Sequence, residues 1–161
     1  MLSRMLGRPR LVLIEPTVRH TPVELGPTRD VHDVAQVTVA NQREAGGDRA
    51  TARDVVPEIE VFDVEGRRRL ARYRGWDSAS ARDLPPSAQH LLYVAEKLKS
   101  WRDCHFVEGS PSLTTGTRRR GNTFRVRVSV RAGNLRPVHA EFVLINEGAG
   151  KSLSFWQAPK R

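Results

Sequence analysis

At 161 residues the chain fits one domain, large enough to bury a core without disulfides or a structural metal. Its 39% hydrophobic and 28% charged residues are those of a folded globular protein, which excludes a disordered chain. A net charge of +9 favours an anionic partner, although only four of the 27 basic residues are lysines and such an arginine excess also follows from GC-rich coding. Cys104 is the sole cysteine, so an intrachain disulfide and a cysteine-based zinc site are excluded, which fits a reducing compartment. The apolar run Leu11–Ile14 is shorter than the about seven residues of a signal-peptide core or the about twenty of a membrane span. A cytoplasmic location is therefore expected, or a tethered or extracellular one if the natural chain starts upstream of Met1.

Residues 1–10 read as a basic tail, residues 11–156 as a single domain and residues 157–161 as a second tail. Leu11–Ile14, closed by Pro16, suits a first or edge strand, and Thr21–Asp30, with Pro22, Gly26 and Pro27, reads as a loop. From Val31 to Asn41 the chain alternates, with Ala35, Val37 and Val39 on one face. Val55–Val64 alternates again, with Ile59 and Val61 inward and Glu58 and Glu60 outward. Asp63–Gly66 supplies a turn and Arg67–Arg74 a returning strand. Gly75 to Ser87 reads as an irregular crossing. Gln89–Lys99 has both helical spacing (Leu91, Val94, Leu98, Trp101) and the look of a strand after Pro85-Pro86-Ser87; the strand is preferred.

Cys104–Val107 suits a short strand and Glu108–Asn122 a long loop. The strictest alternation lies at Phe124–Arg131, where Phe124, Val126, Val128 and Val130 interleave with Arg125, Arg127, Ser129 and Arg131. Val138–Ile145 returns antiparallel to it, and Leu153–Trp156 is a last short strand. The expected fold is an all-β antiparallel sandwich of seven to eight strands, with at most one short helix near residues 89–99.

Val37-Thr38-Val39-Ala40-Asn41, then Ala52, then Ile59 to Gly66 with Asp63 resembles prokaryotic immunoglobulin-like modules of the CARDB type. Arg125–Val130 and Phe142–Asn146 would match their closing hairpin. The resemblance covers residues 31–146 loosely. It implies an immunoglobulin-like fold and a spacer, adhesion or interaction role, with no catalytic residues to carry over.

Gly148-Ala149-Gly150-Lys151-Ser152 has the look of a phosphate loop, but Ile145 stands where the first glycine is needed and Leu153-Ser154-Phe155-Trp156 follows where a helix is required; a hairpin turn is expected. Adjacent strand residues point to opposite faces, so Cys104 and His105 cannot act as nucleophile and base, and Cys104 is expected to be buried. The pairs Asp30/Asp33 and Glu58/Glu60 read as solvated strand positions. No cofactor, no metal site and no enzyme activity are expected. A hydrolase would require histidines and carboxylates gathered in one pocket.

No acidic residue occurs between Glu108 and Glu141, while seven arginines fall within residues 109–140. Immunoglobulin topology would bring Arg67, Arg68 and Arg69 to the same end as Arg118, Arg119 and Arg120, forming a basic tip. Trp101 and Phe106 from the neighbouring loop could stack on bases there. Arg125 and Arg127, by contrast, are expected to face Glu141, Glu58 and Glu60 across the sheet and to be structural. The leading expectation is a non-enzymatic interaction or structural module whose partner is another protein. The alternative is an anion-binding module, contacting nucleic acid or acidic lipid headgroups through the tip.

Overall fold

The computed structural model describes residues 7–44, 47–66, 68–74, 76, 81–113 and 117–160. Among these, eleven strands form: β1 Leu11–Leu25, β2 Thr28–Asn41, β3 Ala52–Phe62, β4 Arg69–Arg74, β5 Arg82–Leu84, β6 Gln89–Leu98, β7 Cys104–Phe106, β8 Thr117–Arg119, β9 Thr123–Ala132, β10 Leu135–Asn146 and β11 Leu153–Gln157. A single 3-10 turn, Asp48–Ala50, lies between β2 and β3. The strands make two antiparallel sheets packed as a β-sandwich. One runs in the order β1-β2-β6-β7-β8, the other β11-β10-β9-β3-β4, with β5 also paired to β3. No helix of the described residues is long and apolar enough to cross a membrane.

The alternating stretch Phe124–Arg131 is the centre of its sheet. Strand β9 pairs with β3 on one side and β10 on the other. Phe124, Val126, Val128 and Val130 are buried in the core with Ile59, Val61, Phe142 and Leu144, opposite Val37, Val39, Leu92 and Val94 of the other sheet. On the outer face the expected partners are in register: Arg127 lies opposite both Glu141 and Glu60. The ion pairs, however, run to neighbours. Arg125 bonds Glu141 at 2.9 Å, Arg72 bonds Glu58 at 2.8 Å, and Arg69 approaches Glu60 at 3.5 Å. The Nε of Arg127 is buried without a hydrogen-bond partner among the described residues.

Four expectations change. Strands outnumber the expected seven to eight because three-residue pieces (β5, β7, β8) complete the sheet edges. The first strand does not stop at Pro16. A bulge between Ile14 and Thr17, with Glu15 at φ 54°, absorbs the proline on an edge strand, where no ladder donor is lost. The expected loop Thr21–Asp30 is a hairpin turning at Gly26-Pro27, so β1 and β2 run as a long ribbon from Leu25↔Thr28 down to Leu11↔Asn41. Finally, the loop Glu108–Asn122 contains strand β8. Gln89–Leu98 is a strand, as preferred, fixed by continuous pairing with β2.

Two asparagines at strand ends tie the connections together. Asn41 is 1% exposed; its Nδ2 donates to Ala50 O and Leu84 O, and its Oδ1 accepts from Arg10 N and Arg43 N. Asn146 is 3% exposed; its Nδ2 donates to Arg102 O, and its Oδ1 accepts from Gly148 N and Lys97 Nζ. Each replaces missing ladder bonds where a strand gives way to a loop.

Candidate functional site

The candidate site is built on the β7–β8 hairpin, which ends the five-stranded sheet. Strand period decides which side chains it shows. Cys104 and Phe106 point inward and are fully buried, whereas His105 points out. Strand β8 pairs with it as Cys104↔Arg119, His105↔Arg118 and Phe106↔Thr117. Arg118 therefore shares the outer face with His105, and Arg119 is directed inward.

Arg118 Nε donates to Asp103 Oδ2 at 2.8 Å, and Asp103 is itself buried. The Arg118 side chain nevertheless remains 67% exposed. Trp101, half-buried, lies with its ring centroid 5.1 Å from His105 at a tilt of 39°. Its backbone is fixed by a bond from Trp101 N to Leu98 O at 2.9 Å. Trp101, Arg102, Asp103, His105 and Arg118 together line a surface cleft.

The inward Arg119 has a different role. Its Nη2 donates to Leu70 O at 2.8 Å, joining the β8 edge of one sheet to the β4 edge of the other. The start of β4 and the β8 strand therefore do meet at one end of the sandwich. At that end the Gly66 turn also leans over β9: a Cβ on Gly66 would stand 2.4 Å from Arg125 Nη1. The expected six-arginine tip is divided, though. Arg119 is a staple, Arg69 faces Glu60, Arg68 and Arg120 are exposed, and Arg67 lies outside the described residues. Phe106 cannot stack on a ligand, because it is fully buried edge-on against Phe124 at 5.1 Å. Arg102, Asp103 and His105 are the cleft residues that sequence reasoning missed. For His105 the signal was the strand period of Cys104–Phe106, which turns it outward.

Behind the cleft, buried ionisable groups hold the frame. Glu96, fully buried, accepts from Ser112 N at 3.0 Å, Leu113 N at 2.9 Å and His32 Nε2 at 3.0 Å. It thereby fastens the β7–β8 loop, including Leu113 at φ 62°, over the sheet. Lys97, also fully buried, donates from Nζ to Gly148 O at 2.7 Å, Lys151 O at 2.9 Å and Asn146 Oδ1 at 3.2 Å. The Gly148–Ser152 turn thus presents carbonyls to a cation, the opposite polarity from a phosphate cradle. Asp33 lies opposite Lys97 in register, accepts from Leu153 N at 3.1 Å and pairs with His20 at 2.5 Å.

Burial lowers the Lys97 pKa, against the pull of Asp33, and pushes that of the buried Cys104 thiol up to about 12. The other histidines are dispersed: His90 contacts Trp76, and His139 lies on β10. Among the described residues, no group of three or more His, Cys, Asp or Glu side chains is placed to hold a metal ion. No protein-family model matches this chain, and no curated protein sequence matches it.

Proposed function

We propose that the chain is a non-catalytic immunoglobulin-like interaction module that offers its β7–β8 edge to a macromolecular partner, in the first place another protein. The supporting observation is how the buried charges are used. Asp33, Glu96, Lys97 and Asp103 each bond backbone or a neighbouring side chain, so the chemistry of the interior goes into rigidity. The exposed edge carries the aromatic and guanidinium groups that interfaces favour. The experiment is site-specific photocrosslinking in the source cells, with the crosslinking residue at Arg120 beside the cleft or at Glu24 on the β1–β2 ribbon. A discrete adduct from position 120 and none from position 24 is expected. Equal adducts at both positions, or none at 120, would contradict this reading.

A second reading, an anion-binding module, is favoured by one feature. Trp101 and Arg118, both expected at the basic tip, share the cleft with Arg102.

A further inference from the structure

We infer that the Trp101 cleft is a nucleotide subsite for single-stranded nucleic acid, a narrowing that rests on the anion-binding reading above. Three features of the cleft carry it. The first is a held aromatic surface: Trp101 is fixed through its backbone and its contact with His105, and it borders open space. Every base has a π-face, so a fixed indole accepts bases without regard to sequence.

The second is a guanidinium whose direction is already set. Asp103 holds Arg118 by Nε alone, and among the described residues its Nη groups make no hydrogen bond. A fork held at one end loses little freedom when it closes on a phosphate. The third is charge. Arg102 and Arg118 outnumber Asp103 in the cleft, and the exposed Arg120 follows β8 directly.

The alternatives fit less of the cleft. A stacked base inside a duplex offers no free face to Trp101. A lipid headgroup uses the arginines but has no flat ring for the indole, and an acidic peptide leaves it equally unexplained. Two or three phosphates on Arg102, Arg118 and Arg120 imply log K falling with log salt at a slope of about −1.4 to −2.1.

The test uses the full chain and the fluorescence anisotropy of a labelled twelve-residue oligothymidine, from 20 to 300 mM salt. A duplex of equal length, phosphatidylserine vesicles, a nucleoside monophosphate and inorganic phosphate serve as competitors. The expected result is binding at low salt, quenched indole emission and competition by single strands well ahead of duplex or vesicles. A monophosphate that competes as well as the oligonucleotide, with equal loss in Trp101→Ala, would show that free nucleotide is the ligand and overturn the nucleic-acid assignment. Trp101→Ala should weaken binding about tenfold. Arg102→Gln and Arg120→Gln should each reduce the slope by about 0.7. These two exposed positions keep the test decisive if Arg118→Gln, which leaves Asp103 unpaired, fails to fold. Equal competition by duplex and vesicles, with no effect of Trp101→Ala, would overturn the single-strand inference while leaving a general anion-binding module. No binding to any of these anions at 20 mM salt would end both.

Discussion

Lys97 is the residue on which one end of the sandwich closes. Its ammonium collects three oxygens from the β10–β11 connection, and Asp33 stands opposite it in the same core-facing phase. Replacing it with methionine leaves those three acceptors without their donor, at a cost of about 2–4 kcal/mol in urea unfolding. The pH dependence carries a definite sign. Lys97 has a folded pKa below its ordinary 10.5, so the unfolded chain binds more protons in between and stability rises as pH climbs through that window. Cys104 acts the other way: its pKa rises from 9.0 to about 12, so stability present below pH 9 is lost as pH rises from there. Lys97→Met should therefore expose the falling Cys104 limb alone. Urea midpoints measured from pH 8 to 11 check this. A mutant whose stability still rises over that range would contradict the role given to Lys97.

At the level of elements, β8 separates the structural from the available arginines by strand period alone. Arg119→Ala should remove the link to Leu70, lower stability by about 1–2 kcal/mol and speed amide exchange in β4. Arg120→Gln, on an exposed position, should leave the melting temperature unchanged and lower only anion affinity. Thermal melts and the anisotropy titration, run on both variants, separate the two roles; matching losses in both would refute the division.

The same period explains what could be read in advance. Strands β2, β3, β9 and β10 alternate cleanly, and so their residues and faces were legible. Asp33, by contrast, is expected at a solvated strand position but is fully buried, because it lies in phase with Ala35, Val37 and Val39. Lys97 was hidden by the β-bulge opposite Ala35 and Gln36, which shifts the phase of β6 after Val94. Glu96 was hidden because only the β7–β8 loop covers it. Three-residue strands such as β8 carry too few alternations to be seen, and so the tip looked like one patch of six equivalent arginines.

Over the whole molecule, the division is between a frame held by buried charges and one short edge that carries the proposed recognition groups. The outer face of the six-stranded sheet, where the basic strand β9 lies, carries the Arg125–Glu141 and Arg72–Glu58 pairs, which solvent screens. Arg125 and Arg72 there offset carboxylates from neighbouring strands, whereas at the β7–β8 edge Trp101 shares its cleft with Arg102 and Arg118. The most direct test is the map of backbone amide and indole shifts in a 15N-labelled sample on adding oligothymidine at low salt. The expected shifts cluster at the Trp101 indole, Arg102, His105 and Arg118–Arg120, and leave β9, β10 and the β1–β2 ribbon unmoved. Shifts centred on β9 and β10 instead, or spread evenly over the surface, would contradict the assignment of the edge.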